Sequence, residues 1–249
     1  PVHIHILLHL GLLVLALAGC AADQKVVPVP PAPGPFTIQV PKDAPTIQAA
    51  LDRARSGDTV LVAPGRYTGD GNRDLDLGGK DIVVIGRGGA DSCVIACGSP
   101  EERHRGFNFH RGETRSAILD GFTITGGWPW RNGIEPLSGG GVACSLASPT
   151  IRRCRIEGNQ ASTGGGAWLD SSDAVIEECQ FRRNEATSVG VLGGWGGGLC
   201  IERGAPVVRN CEFRGNFADN SAGGLSCART RAIIENLHIE GNNGFGGGG

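Results

Sequence analysis

Between Cys97 and Arg115 the chain reads CGSPEERHRGFNFHRGETR, which gathers Glu101, Glu102, His104 and His110 among arginines. Carboxylates beside imidazoles are groups that move protons near neutral pH, and guanidinium groups hold anions. If the chain carries a catalytic site, this stretch is the first candidate, with a glycosidase-like use of the carboxylates in view. The plain alternative is a solvated loop ahead of a strand carrying Phe107 and Phe109. Upstream, Asp70, Asn72, Asp74 and Asp76 alternate through DGNRDLD, with Asp81 at the twelfth position, which is the oxygen spacing of a calcium loop. Leu75 stands where such a loop needs glycine, and Leu75 and Leu77 alternate with the acids as core residues of a solvated strand face would. Calcium is the one cofactor these residues raise. No Cys-x-x-Cys spacing supports zinc. Trp128, Trp130 and Trp195 lie in stretches that interrupt the surrounding pattern, where rings either stack on sugars or cover an exposed edge.

The elements that position these residues come from a repeat. GGGVACSLASPTIRRCRIEGN ends at Asn159, GGGAWLDSSDAVIEECQFRRN at Asn184, GGGLCIERGAPVVRNCEFRGN at Asn216 and GGLSCARTRAIIENLHIEGN at Asn242. A period of this length marks a solenoid whose copies bury their apolar faces only against one another. Within each copy the apolar residues alternate over short runs, as in strands. Val142 and Cys144 open one such run, and Ile151, Cys154 and Ile156 form the next, with equivalents in every copy. Each coil therefore supplies about three short strands, and stacking sets like residue on like residue at about 4.8 Å. Asn159, Asn184, Asn216 and Asn242 are expected to form a polar ladder at one corner. Cys154, Cys179 and Cys211 are expected to form a second ladder of buried thiols. The Gly-Gly pairs suit corners needing positive φ, and the asparagines suit corners needing a side chain that bonds local backbone.

The pattern GG-x-x-C followed by P-x-I-x-x-C-x-F-x-x-N resembles the right-handed parallel β-helix repeats of the pectin lyase-like superfamily. It is similar in particular to the repeats of polymorphic outer-membrane proteins, matched here by Phe181 to Asn184 and Phe213 to Asn216. The resemblance covers roughly residues 45–249. It implies an all-β, right-handed parallel β-helix solenoid. It leaves activity open, because the same solenoid carries lyases, hydrolases, epimerases and adhesins. The Gly-His-Gly, paired-Asp and Asp-His phrases of the pectinolytic families do not occur.

Taken in order, the chain divides into residues 1–20, 21–35 and 36–249. IHILLHLGLLVLALAG followed by Cys20 reads as an export signal, and Leu17-Ala18-Gly19-Cys20 resembles a bacterial lipobox with Cys20 as the lipidated residue. A plain secretory signal and an uncleaved anchor are the alternatives. VVPVPPAPGP then favours extended polyproline II, a spacer of roughly 40–50 Å that would hold the folded part off a membrane. Ile47, Ala50, Leu51 and Ala54 share one helical face, with Thr46 as N-cap and Gly57 as stop, which predicts a short amphipathic helix capping the solenoid. Asp58 reads as turn chemistry. Asp120, in the strand phrase Asp-Gly-Phe-Thr-Ile, is expected to face solvent.

Composition agrees with a turn-rich β solenoid: 42 of 249 residues are Gly and net charge is -2. The absence of a basic excess excludes nucleic acid as an expected partner. Of nine cysteines, Cys20 leaves eight, read as reduced core residues rather than a disulfide framework. The chain has no Met and stops at the opening of what looks like another coil, so it is expected to be a fragment. The leading functional expectation is a non-catalytic envelope or secreted β-helix, a scaffold or a module binding carbohydrate or protein. The alternatives are a polysaccharide lyase, hydrolase or epimerase, and an adhesin or autotransporter-like passenger. The expected location is the outer membrane or cell surface, otherwise secreted, and the sequence leaves oligomeric state open.

Overall fold

Alternating apolar residues with a turn every few positions wind the chain into stacked parallel rungs. The computed structural model describes residues 35–98, 102–129, 138–189 and 192–245. The first face has eight strands, from Thr37–Val40 to Ile233–Glu235, and the second has seven, from Gly65–Tyr67 to His238–Glu240. The third has five, from Phe107–Phe109 to Leu225–Ala228, and a narrow fourth has four, from Gln160–Ala161 to Asn243–Gly244. Pairing is parallel and in register, as in Ile151 with Ile176 and Phe181 with Phe213. Among the described residues the antiparallel exception is the hairpin Ser188–Val189 with Leu192–Gly193, inside the insertion that lengthens one repeat.

The period of two sends alternate residues inward, so each apolar position of the repeat becomes a column of the core. Leu119, Ile151, Ile176 and Val208 are fully buried on the first face, and Ile124, Ile156, Phe181 and Phe213 on the second. The Phe181 and Phe213 rings stack with centroids 4.7 Å apart and planes 2° from parallel. Cys154, Cys179 and Cys211 are buried and free, each Sγ within 3.8 Å of a carbonyl of the preceding rung. Burial keeps the Cys179 thiol well above its ordinary pKa, so it stays protonated and inert.

One outward column of the first face obeys charge rather than hydropathy, while the column two residues before it, through Ile118, Thr150, Val175, Val207 and Ile233, is apolar but for Thr150. Asp120, Arg152, Glu177, Arg209 and Glu235 follow one another in register along the first face, alternating in sign. At one strand spacing apart, like charges in this column would repel, and alternation removes that repulsion. On the second face the in-register neighbours Arg182 and Arg214 are of like charge, with Arg182 held by Glu212 at 2.9 Å. Asp120 corrects the expectation of a solvent-facing acid. Its side chain is 4% exposed, covered by Arg152 at 3.0 Å and by Arg153. The two arginines come from the next rung, out of reach of any local reading.

Corners are single residues in the left-handed region. Between the first and second faces these are Gly121, Arg153, Glu178, Asn210 and Asn236. The sequence reading assigned such corners to glycine, and the structure puts charged residues there as well. The ladder asparagines are not themselves left-handed. The residue before each is, as at Gly158 and Arg183, which frees the asparagine side chain to bond backbone.

The cap forms as Ile47–Arg53, with the Thr46 hydroxyl accepting from Ala49 N at 3.2 Å. It stops at Ala54, three residues before the expected Gly57, because Ala54 is already extended. Lys80 Nζ donates to Leu51 O and Ala54 O, satisfying carbonyls that a helix end leaves open. Ile47, Ala50 and Leu51 enter the core against the first strands and close that end of the solenoid.

Candidate functional site

Two regions hold side chains capable of chemistry or recognition. The first is built where Leu75 pairs with Phe107. Leu75 and Leu77 enter the core, so Asp74 and Asp76 point outward between rungs. Asp74 Oδ2 meets His104 Nδ1 at 2.5 Å, and its Oδ1 accepts Arg105 N at 2.9 Å. A carboxylate accepts only, so Nδ1 donates and Nε2 of His104 is the nitrogen left able to take a proton. Asp76 Oδ2 meets His110 Nε2 at 3.2 Å and Arg111 at 3.3 Å, while its Oδ1 accepts Gly78 N at 2.7 Å. Arg105 donates to Asn108 Oδ1 at 3.2 Å, and burial pulls its guanidinium below the ordinary arginine pKa.

The structure thus joins His104 and His110 each to an aspartate from the preceding rung. It places Glu102 on Arg73 at 3.2 Å. Glu101 lies outside the described residues. Sequence reading missed Asp74 and Asp76 as partners of the histidines. They lie some thirty residues upstream, and only the rung stacking brings them near.

The calcium spacing does not gather its oxygens. Asp70 pairs with Arg73, Asn72 accepts from Ile47 N and donates to Thr68 O, and Asp74 and Asp76 face histidine and arginine. Each of these acids already has a basic side chain close by. Among the described residues no group of three His, Cys, Asp or Glu side chains is placed to hold a metal. Glu113 is 1% exposed and clamps Gly79 N and Arg111 N at 2.9 Å each. Nearby, burial and the Asp74 charge push the Cys97 thiol up to about 12.

The second region flanks the insertion. Trp195 is 38% exposed and, with Glu202, Arg203, Ser226, Ala228 and Arg229, lines a groove of about 480 Å³ on the third face. Arg203 is fixed by two bonds to Asp170, at 2.7 and 2.8 Å, so its stem forms a rigid wall. At the other end of the insertion Ser188 lines a groove of about 610 Å³ with Phe217 and Phe245. Trp128 is half-buried, and its N donates to His104 O at 2.7 Å. Trp130 and Cys20 lie outside the described residues.

The asparagine ladder is continuous. Asn159 N and Nδ2 both donate to Asn184 Oδ1 at 3.1 Å, and the same pair of bonds links Asn184 to Asn216 and Asn216 to Asn242.

This repeat geometry defines a right-handed parallel β-helix. The family described as "Right handed beta helix region" matches residues 67–243, and the chain belongs to it. A solved pectin methylesterase from Aspergillus niger is similar at 13% identity and a TM-score of 0.40, over 86% of this chain and 87% of that one. No curated protein matches the chain.

Proposed function

We propose that this chain is a non-catalytic β-helix module of the cell envelope that binds polysaccharide. The Trp195 groove carries the reading. It sets an exposed indole beside the carboxylate of Glu202, the hydroxyl of Ser226 and the guanidinium of Arg229, the mixture of flat apolar ring and hydrogen-bonding groups that holds a sugar. The lipobox-like phrase ending at Cys20 and the proline-rich stretch after it support an exported, lipid-anchored location with the solenoid held off the surface. An adhesin use fits the same address and the Phe-x-x-Asn repeats. Titration of the chain with a panel of polysaccharides, with and without calcium, tests the proposal. Binding that weakens in Trp195→Ala supports it, and no binding to any of the panel sinks it.

A second reading, a polysaccharide-active enzyme, is favoured by the 2.5 Å contact of His104 with Asp74, which orients an imidazole as a general base does. New reducing or unsaturated ends in the same assay, lost in His104→Ala, would establish it in place of the first.

A further inference from the structure

The narrow fourth face presents one outward residue per rung. Gln160 pairs with Glu185, Glu185 with Phe217, and Phe217 with Asn243. Their neighbours Ala161, Ala186 and Ala218 are buried, which fixes the alternation. The bond from Glu185 N to Asn159 O, at 2.9 Å, recurs one rung on from Phe217 N to Asn184 O and one rung back from Gln160 N to Gly127 O. Trp128, which follows Gly127, therefore takes the place of Gln160 in the preceding rung. Trp128, Gln160, Glu185, Phe217 and Asn243 stand in one line at steps of about 4.8 Å, with the two aromatic residues three rungs or about 14 Å apart.

Most hydrogen-bonding groups of this line are unused. Among the described residues neither the Glu185 carboxylate nor the Asn243 amide has a partner, and Gln160 makes one bond, to Thr187 at 3.3 Å. Glu185 is the line's single charged side chain, which disfavours a polyanion such as nucleic acid or an anionic membrane. Phe217 is 37% exposed, and beside it Asp219 keeps one oxygen on Ser188.

We propose that this line is a track for one uncharged or weakly charged polysaccharide chain lying along the solenoid axis. Sugar rings rest on Trp128 and Phe217, and hydroxyls donate to Glu185 and bond the amides of Gln160 and Asn243. The proposal rests on the polysaccharide reading above and deepens it, adding a second site and a ligand class.

The test is affinity against length, using neutral β-linked gluco-oligosaccharides of graded length and oligouronates of the same lengths. The wild-type chain is expected to bind neutral oligomers more tightly as they lengthen, up to a span reaching from Trp128 to Phe217. Trp128→Ala and Phe217→Ala each lower affinity for the long neutral oligomers about tenfold, leave the shortest ones unchanged, and keep a single cooperative unfolding transition. Glu185→Gln, which exchanges the carboxylate acceptor for an amide, is expected to weaken neutral binding and to raise oligouronate binding relative to it. A length dependence that survives both aromatic substitutions overturns the track while leaving the Trp195 groove standing. So does saccharide binding that only Trp195→Ala removes. Absence of saccharide binding in the wild-type chain overturns both proposals and leaves protein as the partner to seek.

Discussion

Asn184 and Asn216 are joined twice: the backbone N and the side-chain Nδ2 of Asn184 both donate to Asn216 Oδ1 at 3.0 Å. Asn184 Nδ2 also reaches back to Ile156 O at 2.8 Å, so one amide ties three rungs together out of contact with water. Asn184→Ala strands buried groups on both sides, each at a cost of about 1–3 kcal/mol, and the expected total loss is about 3 kcal/mol or more. Asn236, whose bond to Asn210 is exposed, should cost about 1 kcal/mol as alanine, chiefly because its φ of 49° suits asparagine better than alanine. Urea unfolding of the two variants decides. Equal losses would mean the ladder is not what holds the rungs.

The buried Asp120 predicts a similar contrast between ion pairs. Asp120→Ala removes the anion beneath Arg152 and Arg153 and should destabilise by about 2–3 kcal/mol, at the low end for a buried pair because both arginines can turn to solvent. Arg209→Ala breaks a more exposed pair with Glu177 and should cost clearly less than Asp120→Ala. A larger loss from Arg209→Ala would contradict the ranking by burial.

Leu146 is 71% exposed and held at φ 53°, so it bears backbone strain without a buried side chain in return. Left-handed backbone costs an L-residue about 1–2 kcal/mol, partly offset by the entropy lost on fixing a glycine. Leu146→Gly should therefore stabilise the chain by about 0.5–1 kcal/mol. A lower urea midpoint would show that the corner is relaxed as it stands.

Asp58 accepts from Phe36 N and Arg55 N at 2.8 Å each, and these bonds hold its carboxyl below the ordinary aspartate pKa. A lowered folded pKa means its contribution to stability is complete above about pH 4, the unfolded value, and fades as pH falls through the lower folded one. Asp58→Asn should remove part of the stability at neutral pH and flatten the acid limb of the stability–pH curve. An unchanged acid limb would rule out this carboxylate as a contributor.

What was legible in the sequence follows from repetition. Asn159 through Asn242, the thiol column and the inward phase of each strand recur at fixed positions, so stacking could be inferred without coordinates. Contacts between unlike rungs could not. The partners of His104 and His110 lie in the irregular first rungs, and the arginines over Asp120 belong to the next repeat. Trp128 read as part of a loop because the insertion after it breaks the period, and only the Gln160 N to Gly127 O bond restores its register. Arg153 and Glu178 at left-handed corners were hidden for a different reason. Stacking forces that conformation on them against their own preference.

The proposed function requires that this solenoid recognise polysaccharide without altering it. The most direct measurement is a calorimetric titration of the chain and of Trp195→Ala with neutral and uronate polysaccharides, with the products followed for new reducing or unsaturated ends. Polysaccharide recognition at this groove requires binding by the wild-type chain, a loss of about tenfold in the variant, equivalent to about 1.4 kcal/mol, and no new ends. Release of new ends, or no binding by the wild-type chain, would contradict it, and binding that Trp195→Ala leaves untouched would rule out the Trp195 groove as the site.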